Sequence, residues 1–579
     1  MHLKEFRLHR LLKVNKAARK LFPTGMLPAY TYGLEVTGVG LQQVREVRNV
    51  AAKLDGCPNM SRDVWGALRP ERDPLVALVS PPIMRYSEEV WRMCAPGQSN
   101  GRLVGASVLR QALENAEKAR HKKQPLTGPV AQMLDQLHWA GWKMVNLFTL
   151  QDREGFHRHL GTTPTASLLR QFRKDVLKKV EERAEARMQE ARVLAGEESK
   201  EWEAPWWDIM RKYQRSKEAA LNKHLTLRAH GGHLLTAEQS QQWGYETDGN
   251  CQACPGCKDT GWHRITSCKK GRALRTIGKE QGKQRDVRSW QQWQLDLTCS
   301  QGLRRFLAPN RPTEALPDIG EVVRAFIGDK EVEPDTFRFL ATEAVGADGT
   351  ATNVRWGPLA RAAWAAVQLS NGVLRWIGGT VGRKQGQNAV TAEHEAATTA
   401  VEKGARHSLV VDCAAVQVIA DQPDAYRCKH SRVHAGYWKR VATAQRRQEP
   451  SNEMPWIKTR AHVEVPANPT TTEDHHIVLN DHADRCCKRA NTWHQLSEDR
   501  ETQWKQQAGR ALGFMRDAGE LLARYPRPRD EDISYVRQKK GRKLSMRVRY
   551  VHDWHWTAQG SWRCRLCMRI KWSRDAAAD

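Results

Sequence analysis

Thr391-Ala-Glu393-His-Glu-Ala-Ala-Thr-Thr-Ala-Val401 is followed, six residues later, by Ser408-Leu-Val-Val-Asp412. In the first run the apolar residues at 392, 396, 397, 400 and 401 fall on one face at helical spacing, and Glu393 stands in the first turn beside that stripe. The second run is short, apolar and closed by an acid, the pattern of a buried strand with a carboxylate at its carboxyl end. Upstream lie two more strand candidates, Ala360–Leu369 and Val373–Val381, separated by the hairpin signal Ser370-Asn371-Gly372. Before them, Phe337–Gly346 reads as a strand ending in Ala347-Asp348-Gly349-Thr350, an acid on a glycine turn. Downstream the pattern predicts a helix from Ala414, a helix around Tyr437–Arg446, a strand from Trp456 to Val463 that carries His462, and a last helix over Asn480–Ala490 that carries Asp484. The order β-β-β-α-β-α, then β-α, predicts an α/β domain over residues 336–495: a five-stranded mixed sheet with flanking helices.

In open sheets, sites collect at the carboxyl ends of strands. Asp348 and Asp412 share that edge if their strands are neighbours. Glu393 and Asp484 join them from helices, and Glu395 and Asp481 are the neighbouring acids that helical phase disfavours. Clustered carboxylates repel one another unless cations neutralise them. Oxygen ligands suit Mg²⁺, and two ions about 3.5–4 Å apart both activate water and clamp a leaving oxygen.

These residues resemble a type-I ribonuclease H domain. Asp348-Gly-Thr corresponds to the family's Asp-Gly-Ser turn, Ala392-Glu393-x-x-Ala396 to its helix acid and Val411-Asp412-Cys to its third acid. Trp456-Ile-Lys-x-x-Ala-His462 corresponds to the strand and histidine loop, and Asn480-x-x-Ala-Asp484 to the last acid. Ala347 stands where the family usually has Thr or Ser, and the loop from His462 to Asn480 is long. The resemblance implies hydrolysis of the RNA strand of an RNA–DNA hybrid. Asp348, Glu393, Asp412 and Asp484 would hold two Mg²⁺ ions, and His462 would move a proton or aid product release. An integrase of related fold needs a Glu after the second Asp, and none is placed as well as Asp484.

Thirteen cysteines in 579 residues are too sparse for a disulfide-framed secreted chain. Cys254-Pro-Gly-Cys257-Lys-Asp-Thr-Gly-Trp-His263-Arg-Ile-Thr-Ser-Cys268 reads C-x2-C-x5-H-x4-C, a set of four ligands for structural Zn²⁺, with Cys251 as an alternative to Cys254. A weaker set lies in the tail, where Cys564-Arg-Leu-Cys567 follows His552 and His555.

Lys and Arg number 93 against 65 Asp and Glu, a formal charge of +28. Such an excess points to a polyanionic partner, nucleic acid above all. No apolar run is long enough for a spanning helix and no secretory h-region opens the chain, so an intracellular setting, nucleus or cytoplasm, is expected. The length implies several domains. We expect a helical region over 1–150, interrupted at Gly25–Pro28 and with a loop at Pro81-Pro82, and a charged helical connector over 151–240. A zinc knuckle at 245–275, a helix and linker at 276–335, the α/β domain and, at 496–579, a helix with a basic tail follow. A knuckle shortly before a ribonuclease H domain resembles the C-terminal part of a LINE-type (non-LTR) retrotransposon polyprotein. Lys20–Glu35 resembles the end of the reverse-transcriptase thumb in such elements. No Tyr- or Phe-x-Asp-Asp motif occurs, so no polymerase activity is expected. The competing expectation is a nucleic-acid-binding retroelement fragment with an inactive nuclease domain, against which stands the retention of all four acids.

Overall fold

The computed structural model describes residues 20–54, 73–94, 105–194, 236–260 and 320–523 with short breaks, scattered positions in 7–18, 209–226 and 263–269, and three short strands beyond 553. After short helical turns over 22–37 come helices α1 (Leu41–Leu54), α2 (Pro81–Met93), α3 (Ala106–His121) and α4 (Pro129–Ala140). A small antiparallel sheet follows, β1 (Lys143–Asn146), β2 (Thr149–Gln151) and β3 (His157–His159), where helix was expected. Next is α5 (Thr165–Leu194). Pro81-Pro82 opens α2 instead of forming a loop, because the first helical N–H groups have no intrahelical acceptor to lose. Gly25–Pro28 is no break either: a π-helical turn, Phe22–Met26, runs into the helix Leu27–Thr31. On α5 the stripe Leu168, Phe172, Val176 and Val180 is buried as its spacing predicts, but within the common core of the N-terminal helices. Residues 165–180 therefore belong to that body and not to a connector, and the buried Asp175 accepts a 2.8 Å hydrogen bond from Trp142 Nε1.

After the hairpin of β4 (Asn250–Cys251) and β5 (Cys254–Lys258) comes a seven-stranded mixed sheet. Its strands are β6 (Val323–Ile327), β7 (Lys330–Val332), β8 (Val345–Thr352), β9 (Arg361–Ser370), β10 (Val373–Thr380), β11 (Leu409–Val411) and β12 (Trp456–Lys458), in the spatial order β12-β11-β8-β9-β10-β6-β7. Only β11 makes parallel pairs, with β8 and β12. Four of these strands fall where expected and β8 takes the place of the fifth; β6 and β7 fall in the stretch read as a linker and extend the antiparallel edge. The expected strand at Phe337–Gly346 is displaced. Phe337 and Phe339 form an edge-on ring pair between β7 and β8, and β8 runs through Asp348-Gly349 without turning.

Helix α6 (Ala389–Glu402) covers one face of the sheet. Then come α7 (Ala414–Ala420), α8 (Ala435–Arg447) and α9 (Thr472–Thr492), the last on the other face. Along β9, Ala362, Trp364 and Ala366 pack with α6 while Ala365 and Val367 pack with α9, the period-two alternation of a doubly covered strand. Two glycines of β8 let both helices come close. A Cβ on Gly349 would lie 2.3 Å from the Glu393 backbone N, and one on Gly346 would lie 3.0 Å from the Leu479 carbonyl oxygen. Helix α10 (Glu498–Ala523) returns to the N-terminal helices, where Trp504, Ala508, Ala511 and Met515 join their core. The two bodies also meet at Lys439, whose Nζ donates to the carbonyls of Trp91 and Gly161, each at 3.1 Å.

His394 of α6 stacks on His434, with ring centroids 4.2 Å apart, beside Tyr437 and Trp438. Burial holds His394 down at about 3, and the His434 ring adds to this. Burial, with Arg170 of α5, holds His434 at about 4. The nearby Glu395 is committed to Arg440 at 2.8 Å. Both folded values lie below the ordinary 6.5, so on acidification the unfolded chain takes up protons first. Stability is therefore lost as the pH falls from 6.5 toward 4, by up to about 1.4 kcal/mol per pH unit per histidine. Urea unfolding at pH 7 and pH 5, compared between wild type and His434→Phe, isolates this contribution: the change in stability on acidification should be more favourable in the variant than in the wild type.

Candidate active site

Val411 pairs with Ala347 in the parallel register of β11 and β8, so Asp412 and Asp348 follow side by side. Asn388 caps α6 by accepting from the Thr391 N–H at 3.0 Å, which fixes the helix start. The absent side chain of Gly349 lets that helix bring Glu393 against Asp348. Asp348, Glu393 and Asp412 each offer an oxygen, all within 4.8 Å of one another. Asp484 reaches Asp348 from α9 in a second such group, with Cys487 as its third member. The four expected acids thus converge, with Asp348 as the hub. Asn480, one turn before Asp484, points its Nδ2 at Asp412 Oδ2, 3.5 Å away. Glu395 and Asp481 are held elsewhere, by Arg440 at 2.8 Å and Arg485 at 2.6 Å.

The electrostatics ask for a cation. Burial, and then the charge of Asp412, push Asp348 up to about 6, even though the Gly349 N–H donates to its Oδ1 at 2.7 Å. Burial, and then Asp348, raise Glu393 well above the carboxylate range. Glu393 Oε2 is buried with no hydrogen-bond partner, which is costly unless a cation satisfies it. An all-oxygen donor set of this kind fits Mg²⁺. A cavity of about 510 Å³ opens beside Asp412, lined also by Lys458, Arg460, Glu473 and His476. His462 lies outside the described residues.

A second cluster sits on the β4–β5 hairpin. Cys251, Cys254, His263 and Cys268 are buried and their ligand atoms lie within 4.8 Å of one another. Cys268 Sγ is 3.6 Å from Cys251 Sγ and 3.8 Å from Cys254 Sγ, close to the roughly 3.8 Å edge of a tetrahedron with 2.3 Å metal–sulfur bonds. The donor set fits Zn²⁺. Burial pushes the Cys251 thiol up to about 11, with Cys268 adding to it, and a bound cation would have to displace that proton. The expected ligand Cys257 is replaced by Cys251. Cys254–Lys258 is an extended strand, so Cys254 and Cys257, three residues apart, face opposite ways and Cys257 is exposed. The C-x2-C pair is instead Cys251 and Cys254, opposed across the hairpin. Asp259 holds this scaffold through Arg264, at 2.6 and 2.8 Å, and the Ala237 N–H.

In the tail, Trp554–Trp556, Trp562–Cys564 and Ile570–Lys571 form a small antiparallel sheet. His552 and Cys567, and the side chains of His555 and Cys564, fall outside the described residues, so the second zinc set is not placed. Among the described residues no helix is long and apolar enough to cross a membrane. Comparison with protein-family models, curated proteins and solved structures found no match to this chain.

Cys487, which joins Asp348 and Asp484 in the second ligand group, is not among the residues that the motifs single out. Its signal was its place three residues after Asp484, on the same helical face.

Proposed function

We propose that this chain is a Mg²⁺-dependent nuclease of the ribonuclease H type that cuts the RNA strand of RNA–DNA hybrids, as part of a retroelement protein, and that the Cys/His cluster holds a structural Zn²⁺. The observation that carries this reading is that Asp348, Glu393, Asp412 and Asp484 meet in two adjoining groups that share Asp348, from the sheet and the helices on both its faces. When bound, two Mg²⁺ ions supply an activated water and neutralise the leaving oxygen. The protein's part is to fix the carboxylates. Gly349 admits Glu393, Asn480 orients Asp412, and Lys458 lends the adjacent cavity a positive charge for phosphate, beside Arg460, which is paired with Glu473 at 3.5 Å. Recognition would rest on hybrid shape and 2′-hydroxyls rather than on base edges. The test is cleavage of a labelled hybrid with and without Mg²⁺, beside the matching DNA duplex. No Mg²⁺-dependent cut in the RNA strand would refute the reading and favour a binding protein with an inactive nuclease domain.

The +28 charge adds a second expectation. Binding should weaken linearly in log salt, with a slope near −0.9 per phosphate neutralised on duplex DNA. Fluorescence anisotropy across a salt series measures it, and a flat response would assign the charge to solubility alone.

A further inference from the structure

Cys487 is fully buried on α9, and its Sγ lies 3.5 Å from Asp348 Oδ2. Asp348, Asp484 and Cys487 place one ligand atom each within 4.8 Å of one another. A tetrahedral ion with bonds of about 2.3 Å to sulfur and about 2.0–2.2 Å to oxygen holds the two atoms roughly 3.5 Å apart. The Cys487–Asp348 separation already has that value. Independently, Glu393, a member of the adjoining ligand group that shares Asp348, is 6% exposed, and its buried Oε2 has no hydrogen-bond partner. The cation now nearest Asp484 is Lys488 Nζ at 2.6 Å, on a side chain exposed enough to swing away.

Mg²⁺ takes oxygen ligands and has no use for the sulfur, whereas Zn²⁺ and Cd²⁺ bind thiolate well. We propose that Asp348, Asp484 and Cys487 form a thiolate-containing site for a thiophilic divalent cation, and that such an ion, once bound, excludes Mg²⁺ from Asp348 and stops cleavage. The idea rests on reading the acid cluster as a cation site and adds a sulfur ligand to it. Binding exchanges the thiol proton for the metal, Cys–SH + M²⁺ → Cys–S–M⁺ + H⁺; the proton leaves to solvent and nothing is oxidised or reduced.

The full chain is titrated with Cd²⁺ alone, and the ultraviolet sulfur-to-cadmium charge-transfer band is recorded for wild type, Cys487→Ser, Cys487→Ala and the neighbour control Cys486→Ser. Wild type and Cys486→Ser should bind one thiolate-ligated cadmium more than either Cys487 variant, above the signal all four share from the Cys/His cluster. Cadmium NMR of the wild type needs no variant and should show a second resonance, shifted toward oxygen ligation, besides that of the Cys/His cluster. Where Mg²⁺-dependent cleavage is present, Cd²⁺ should inhibit the Cys487 variants roughly tenfold less than wild type or weaker still. A single cadmium resonance, or equal bands in wild type and the Cys487 variants, would overturn the site, and equal inhibition would overturn its competition with Mg²⁺. The spectra involve no nucleic acid, so a protein that shows the extra cadmium but never cleaves a hybrid would count against the nuclease reading while supporting the thiolate site.

Discussion

Asp348→Asn is expected to abolish hybrid cleavage and, in the same protein, to raise the melting temperature measured in EDTA. The first half follows from position: Asp348 belongs to both groups of convergent ligands, so a neutral amide there weakens every arrangement of cations the site can hold. A loss of roughly 10³-fold or more, about 4 kcal/mol of barrier, is the scale to expect. The second half follows from burial and from Asp412, which together push the Asp348 carboxyl up to about 6. A folded value above the ordinary 3.8 means that, as pH rises, the unfolded chain releases its proton first, so folding stability is lost between 3.8 and about 6. At pH 7 the wild type carries that penalty in full when no metal is present. The amide removes it, a gain on the order of 3 kcal/mol. Asn keeps an oxygen for the Gly349 N–H, so the local hydrogen bond survives. Mg²⁺ should raise the wild-type melting temperature and leave the variant nearly unmoved. An acid of purely structural importance would behave in the opposite way, with Asn lowering stability and sparing cleavage.

Cys251→Ser should empty the Cys/His cluster of zinc, while Cys257→Ser should leave it filled. The hairpin turns Cys251 inward and Cys257 outward, and only the former lies within reach of Cys254, His263 and Cys268. Structural zinc contributes on the order of 10 kcal/mol of apparent binding free energy in small domains. Loss of one thiolate should therefore drop the metal content from one per chain toward zero and loosen residues 236–269, read as faster amide exchange there. Cleavage of a short hybrid should persist, since no ligand of this cluster is shared with the acids. Zinc retained in Cys251→Ser and lost in Cys257→Ser would restore the spacing read from the motif and reject the hairpin register.

The acids were legible because each sits at a point where the pattern is strong. Asp412 closes an apolar run, Glu393 flanks a helical stripe, and Ser370-Asn371-Gly372 marks a hairpin whose Asn371 and Gly372 do take positive φ. What misled was backbone path at short range. Gly349 reads as a turn residue, but its bareness serves a helix passing over a continuous strand. Cys254 and Cys257 look like one knuckle until extended backbone sends them to opposite faces. The edge strands β6 and β7 were hidden by surrounding prolines and acids, and β1–β3 by their brevity. The path of α10 had no local signal, because long-range packing leaves its mark only on partners far away in sequence.

That path bears on synthesis. The core of the N-terminal helices draws on Leu496, Trp504 and Met515, which leave the ribosome after the whole α/β sheet. Until then the earlier helices present an open apolar face, while the sheet between them already has all its strands and both covering helices. Nascent chains with such unfinished surfaces are prone to association. A message cut short just ahead of residue 496 would therefore release a polypeptide whose later half is closed and whose earlier half is not, and chaperone dependence would be its first defect.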